Sequence, residues 1–291
     1  MNRNNPSKSG CMQGISNDAK VALNKICTII ADTIETDAVY CLGYRNTLNT
    51  ISTGIFIKDN HSEHIHFYLV VFATKLKRNS LTKIDKQISK CLGSQAAATL
   101  LLHTTASLQE VTKKQHYFFY RLFEQGNIVY QNREVQSFLN VVDEPKSNYD
   151  DSRIYLYTRN TAAMDYLEAL AAIEKNGSTM TSAVLLHLAV EHICLMLIHS
   201  LLGYHPQKFS TEYLFELCDY ATTLTKEIFP RNTPHEKELF KILCIRPGMV
   251  RRRHIDAVPY QDLQIVAGRC REFQSRAFKI AHKQIELLNT K

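Results

Sequence analysis

Five side chains suited to phosphate chemistry lie within nine residues near the C-terminal end of the chain: Arg246, Arg251, Arg252, Arg253 and His254. Arginine offers a planar set of N–H donors that matches phosphate oxygens, and histidine exchanges a proton near neutral pH. These residue types can bind a phosphate group, or bind and cleave a phosphodiester. From Arg246 to Lys291 the chain has ten Lys or Arg and four Asp or Glu, so most of the net charge of +7 lies in this segment. The segment therefore predicts an anionic partner.

Three further basic residues follow this cluster at seven-residue intervals: Arg269, Arg276 and Lys283. Residues seven apart lie on the same face of a helix. We therefore expect Arg269 to belong to the nucleotide- or RNA-binding surface, and its two successors to extend that surface. The alternatives are ion pairs with the acidic segment 212–219, or a solvated helix face.

The segment 181–204, TSAVLLHLAVEHICLMLIHSLLGY, is apolar on nearly every face and is interrupted by four polar residues: His187, Glu191, His192 and His199. This pattern is typical of a helix inside a bundle. A membrane span is not expected, because a glutamate and three histidines would be costly in a bilayer. We expect Glu191 and His192 to be satisfied within the bundle, with the lining of a ligand pocket as the alternative.

The segment 61–66, HSEHIH, places three histidines within six residues. His64 and His66 fall on one face of a predicted strand, where they could bind Zn²⁺ or Ni²⁺ together with His61. The interpretation that we favour is a polar hairpin arm leading into a buried strand. No metal and no other cofactor is predicted.

Helix and strand signals divide the chain into two parts. A loose polar arm, 1–17, precedes a small α/β domain, 18–142; an acidic linker, 143–154, precedes a helical bundle, 155–291. Aromatic and β-branched runs predict these strands: AVYCLGY, ISTGIFI, HIHFYLVVFAT, ATLLLHT and NIVYQ. Apolar spacing with Gly and Pro boundaries predicts these helices: 18–36, 81–93, 110–125, 161–176, 181–204, 210–229, 234–245 and 260–288. The predicted fold class is α+β.

The composition indicates a globular protein. With 291 residues and 45% hydrophobic side chains, the chain can bury one large core or two smaller ones. Its eight cysteines form no CxxC pair, and no hydrophobic segment stands at the N-terminus. We therefore expect reduced thiols and a cytoplasmic location.

The order of elements in the first domain resembles a minimal nucleotidyltransferase domain. The residues that carry the resemblance are the run Leu42-Gly43-Tyr44-Arg45 after the first strand and the strand around Leu69–Phe72. In that family a Gly-Ser after the first strand holds the triphosphate. An Asp-x-Asp pair on the next strand binds the metal ions that support transfer.

This chain departs from the family at the positions that hold the metal and the phosphates. Tyr44 replaces the serine, and His66 and Tyr68 stand where the two aspartates belong. Phenol and imidazole are poor ligands for Mg²⁺. We therefore expect Gly43, Tyr44, Arg45, His66 and Tyr68 to form a vestigial transferase site without nucleotidyl transfer.

The helical part resembles HEPN domains over roughly 155–288. The resemblance rests on four segments: Leu-Ala-Val-Glu-His at 188–192, Gly-Tyr-x-Pro at 203–206, Pro-Arg-Asn-Thr at 230–233 and Arg-Arg-Arg-His-Ile-Asp-Ala at 251–257. The resemblance implies nucleotide or RNA binding and a homodimer formed through the helical bundle.

Active HEPN ribonucleases need no metal and use an arginine followed four to six residues later by a histidine, with two such motifs facing each other across a dimer. Here Arg246 precedes His254 by eight residues and Arg251 precedes it by three, so the spacing is atypical. Our leading hypothesis is therefore a non-catalytic nucleotide- or RNA-binding protein. The alternatives are a ribonuclease that uses His254 and Arg251, as a toxin or defence effector, and a purely structural dimerisation module.

Overall fold

The computed structural model describes residues 15–51, 60–108, 110, 115–132, 149–173, 178–250 and 258–289, without the side chains of 48–51 and 60–63. The chain forms two units, Met1–Pro145 and Lys146–Lys291, and the division falls inside the segment expected to be a linker. The first unit is built on a mixed sheet and the second on helices. The α+β class predicted from the sequence is confirmed.

Four strands of the first unit pair in the order β3-β2-β1-β4. They are β1 (Thr36–Ile51), β2 (Asn60–Ala73), β3 (Ala96–Thr104) and β4 (Asn127–Gln131). β1 is antiparallel to β2 and β4, and β2 is parallel to β3. β1 does not end at Gly43 as the sequence suggested, because β2 continues to pair with the backbone of β1 as far as Ile51. The rest of the ISTGIFI segment, 52–57, lies outside the described residues.

Helices cover the sheet on both sides. Helix α1 (Asn17–Thr33) and helix α2 (Ser80–Leu92) enclose an apolar core with alternate strand residues such as Phe67 and Leu69. Helix α3 (His116–Gln125) brings aromatic rings to residues of the opposite face, including Phe72 and His103. Because successive strand residues point to opposite faces, His66 and Tyr68 share the face of Phe72.

The second unit is a helical bundle. Its helices are α4 (Tyr149–Ile173), α5 (Thr179–Leu202), α6 (Thr211–Ala221), α7 (Leu224–Ile228), α8 (Pro234–Leu243), the single turn α9 (Pro247–Val250) and α10 (Tyr260–Asn289). Helix α5 packs against α4, α6, α8 and α10, so it is the central helix. Local signals fix its C-terminal end: Gly203 adopts a left-handed φ of 68°, which glycine tolerates without steric cost.

Two helix boundaries differ from the sequence prediction. α4 begins at Tyr149 rather than near residue 161, so residues 149–154 are helical rather than part of a linker. The predicted helix 210–229 is broken at Thr222, whose extended backbone (φ −154°) separates α6 from α7. Thr222 and Thr223 are β-branched, and such residues are weak helix formers.

Among the described residues, α5 is the one helix long and apolar enough to cross a membrane by length and composition. Two thirds (67%) of its most apolar window is buried inside the protein. Burial of this kind is typical of the core helix of a soluble protein, in agreement with the expectation from the sequence.

Candidate functional site

The sheet brings together four of the five residues predicted to form a vestigial transferase site. Arg45 pairs with His66 across β1 and β2, and Gly43 pairs with Tyr68 beside a bulge. The Arg45 Nη1 donates to the Tyr68 hydroxyl oxygen over 2.9 Å, and the His66 and Tyr68 ring centroids are 5.0 Å apart. Tyr44 does not join them, because it packs against the core on the α1 and α2 side.

These contacts join Arg45, His66 and Tyr68 in one polar cluster. Tyr68 and His66 are almost fully buried, and the His66 Nε2 lies 2.8 Å from the Thr99 hydroxyl. The neighbouring His64 is engaged elsewhere, with its Nδ1 2.7 Å from the Ser94 carbonyl oxygen. Within the described part of the chain no group of three or more His, Cys, Asp or Glu could hold a metal ion. The side chain of His61 lies outside that part.

We expect Tyr68→Phe to lower the free energy of unfolding of the sheet unit by about 1 kcal/mol, because the variant removes the hydrogen bond from Arg45. Hydrogen exchange of the β1 and β2 amides, compared with the wild type in the same urea series, measures this loss. Tyr130→Phe, a half-buried tyrosine of the same sheet, is the matched control. An unchanged exchange rate in Tyr68→Phe would contradict a structural role for the pair.

In the basic cluster of the helical unit, Arg246 is the member that lies within the described residues. Arg251, Arg252, Arg253 and His254 lie outside them. Arg246 is exposed at the turn between α8 and α9, and it forms no ion pair within 4 Å with any described residue. Asp219, which lies in the acidic segment 212–219 considered as an alternative partner for the basic residues, pairs with Arg231 at 3.1 Å.

Buried contacts fix the chain just before Arg246. The His187 Nδ1 lies 2.8 Å from the Leu243 carbonyl oxygen and 3.0 Å from the Thr211 hydroxyl, which itself donates to the same carbonyl. Since a carbonyl can only accept, Nδ1 of His187 carries the proton. His187 therefore joins the centre of α5 to the start of α6 and the end of α8, three residues before Arg246.

Glu191 lies one helical turn beyond His187, with its Oε2 3.8 Å from the His187 Nε2. Partial burial raises the pKa of the Glu191 carboxyl, and the positive charges of Arg159 and Arg246 oppose that rise. Burial also lowers the pKa of His187, and Arg246 adds to the effect. The electrostatic environment of His187 and Glu191 thus includes the carboxyl group of Glu212 and the guanidinium groups of Arg159 and Arg246.

The seven-residue repeat on α10 extends the basic surface less than expected. Arg276 forms ion pairs with Glu227 and with Glu272, the latter at 3.2 Å, so its charge is already neutralised. Ion pairing of this kind was the alternative interpretation of the repeat, but the partners of Arg276 lie outside the acidic segment 212–219. Arg269 is half-buried. The pKa of Glu236 is lowered mainly by a hydrogen bond from the backbone N–H of Thr233, and the positive charge of Arg269 lowers it further. Lys283 is exposed.

The sequence pattern did not single out Arg159, which the structure places against the polar stripe of α5. Its Nη1 lies 3.4 Å from the His192 Nδ1, and its guanidinium carbon lies 4.8 Å from the Tyr155 ring centroid. The available signal was the spacing of His192 and His199, seven residues apart on one face of an apolar helix. Such a stripe needs a polar partner on the helix packed against it.

No known protein family, no curated protein and no solved structure matches this chain.

Proposed function

We propose that this protein binds the phosphate groups of a nucleotide or RNA through Arg246, the arginines 251–253, His254 and Arg269. It binds this ligand without catalysing a reaction on it. In this proposal the helical unit is a HEPN-type bundle that forms a homodimer in the cytoplasm. The sheet unit is a nucleotidyltransferase-like domain that holds no metal and performs no transfer.

The observation that supports the proposal best is that the Arg246 side chain is exposed and forms no ion pair with a described residue. The chain before it is fixed by His187, so less backbone freedom is lost when a phosphate binds. A guanidinium held in this way can make paired hydrogen bonds to phosphate oxygens.

The neighbouring groups suit a sugar-phosphate better than a bare anion. The carboxyl of Glu191 lies within the electrostatic reach of Arg159 and Arg246, and it is a hydrogen-bond acceptor. Phosphate oxygens accept hydrogen bonds, whereas the hydroxyls of ribose also donate them. In the proposal Arg246 contacts a phosphate and Glu191 accepts from a hydroxyl of the same ligand.

We expect the wild-type protein to bind a labelled 20-nucleotide single-stranded RNA in EDTA, with an affinity that falls as salt rises. Arg246→Gln should weaken binding about tenfold, equivalent to about 1.4 kcal/mol. Replacement of Arg251, Arg252 and Arg253 together by Gln should reduce the slope of log K against log salt by about 2. Fluorescence anisotropy at several salt concentrations measures both quantities.

The matched control is Arg276→Gln, which removes the same charge from an arginine already paired with two glutamates. It should leave RNA affinity within about twofold of the wild type. Equal losses in Arg276→Gln and Arg246→Gln would mean that only net charge matters, and would contradict a defined site. Competition with unlabelled ATP in the same assay distinguishes a nucleotide ligand from RNA.

Two outcomes would replace the proposal with one of the alternatives. Cleavage of the RNA in EDTA that is lost in His254→Ala and in Arg251→Ala would make the protein a ribonuclease. Absence of binding to RNA and to ATP, with a dimer seen by light scattering, would leave the structural dimerisation role.

A further inference from the structure

A cluster of one guanidinium, one phenol and three imidazoles lies along α4, α5 and the turn after α5. Tyr155 and Arg159 come from α4, His192 and His199 from α5, and His205 from the turn. The ring centroids of Tyr155 and His199 are 4.3 Å apart, and those of His199 and His205 are 4.6 Å apart. The Arg159 guanidinium carbon lies 4.8 Å from the Tyr155 ring centroid.

The positive charge of this cluster acts on the carboxyl of Glu191, but it makes no ion pair with a described residue. Arg159 is half-buried, and no carboxylate oxygen of a described residue lies within 4 Å of it. Its Nε is buried and makes no hydrogen bond to a described residue. The same holds for the Nδ1 of His199. A half-buried charge without an ion-pair partner is costly, so a bound anion would stabilise Arg159 in this position.

The imidazoles remain neutral beside the guanidinium. Burial, followed by the effects of His205 and Arg159, lowers the pKa of His199 to about 3. Burial, and then Arg159, also lowers the pKa of His192 and of His205. At neutral pH each imidazole therefore offers one N–H donor and one acceptor, and Arg159 provides the fixed charge.

We propose that Arg159, together with His192 and His199, forms a binding site for an oxyanion, and specifically for a phosphate group. The planar guanidinium supplies paired donors, Tyr155 holds it by stacking, and the neighbouring imidazoles supply further donors. A phosphate bound here fills the hydrogen-bonding capacity that the described residues leave open on Arg159 and His199.

The contact residues of this site differ from those around Arg246, although Glu191 lies within the electrostatic reach of both Arg159 and Arg246. His187 faces α6 and α8, where its ring contacts Thr211 and Leu243, whereas His192 and His199 contact residues of α4. The inference therefore does not rest on the proposed function.

The test is calorimetric titration of the full-length protein with inorganic phosphate at pH 7, followed by AMP and by acetate. We expect phosphate and AMP to bind, and Arg159→Gln to raise the Kd for phosphate at least tenfold. Arg153→Gln is the matched control, since Arg153 lies on the same helix with its guanidinium carbon 5.9 Å from the Tyr157 ring but is exposed. Arg153→Gln should leave the Kd within twofold.

A second measurement guards against a variant that fails to fold. Arg159→Lys keeps the charge but loses the planar donor pair. Its circular dichroism spectrum should match that of the wild type, whereas its affinity for phosphate should be several-fold lower.

Three results would overturn the inference. The first is no phosphate binding by the wild type at millimolar concentration. The second is a loss in Arg153→Gln equal to that in Arg159→Gln. The third is acetate binding tighter than phosphate, which would assign the site to carboxylates instead. RNA binding through Arg246 is measured separately by the anisotropy assay.

Discussion

Acidification from pH 7 to pH 4 is expected to lower the free energy of unfolding of the sheet unit by about 3 kcal/mol through His103 alone. Burial beside Phe119 and Phe72 lowers the pKa of this imidazole to about 4, from an ordinary value of 6.5. As the pH falls below about 6.5 the unfolded chain takes up a proton that the folded unit does not accept. The stability is therefore complete above pH 6.5 and is lost between there and pH 4.

Hydrogen exchange of the β3 amides in a urea series, repeated at several pH values, measures this loss without a contribution from the helical unit. The matched variant is His103→Phe, which keeps an aromatic ring in the cluster but cannot titrate. Its stability at pH 7 differs from that of the wild type for several reasons, so the change with pH is the quantity to compare. A pH dependence between 6.5 and 4 that is as steep in His103→Phe as in the wild type would contradict the assignment to His103.

Phe273→Ala is expected to lower the free energy of unfolding of the helical unit by about 3–5 kcal/mol. The ring is fully buried on α10. It lies edge-on to Phe229 with centroids 5.5 Å apart, and its centroid is 6.0 Å from that of Phe215. Removing it leaves a cavity between three helices and ends both aromatic contacts, and large-to-small substitutions in such positions are among the most costly.

The control for this prediction is Phe209→Ala, because Phe209 is 47% exposed in the turn before α6. This change should cost well under 1 kcal/mol. Urea unfolding followed by far-ultraviolet circular dichroism reports mainly on the helices and compares the two variants directly. A similar cost for both substitutions would show that Phe273 is not in a packed core.

The sequence alone determined the elements whose signals are local. The capping box of Thr233 and Glu236, with Pro234 at the first helical position, fixed the start of α8. Gly203 fixed the end of α5, and a run of aromatic and β-branched residues identified β2. Each of these signals involves residues within a few positions of one another, so it can be interpreted without knowledge of the fold.

Helix boundaries without a strong local signal were predicted less well. Nothing in the polar segment before residue 161 marks Tyr149 as the first residue of α4, and part of that helix is stabilised by distant residues. The Tyr149 hydroxyl donates to Glu286 of α10, 137 positions away, over 2.8 Å. The break at Thr222 similarly depends on how α7 packs beneath α10.

The composition of the candidate sites was decided by tertiary structure. Residue types and spacing pointed to Arg246 as a phosphate ligand, but only the fold joins His187 to the Leu243 carbonyl, 56 residues away. Only the fold sets Arg276 against Glu227, and only the fold places Arg159 beside His192. The physical reason is that a side chain's charge and hydrogen-bonding capacity are properties of the residue, whereas its partners and its burial depend on which helices pack together.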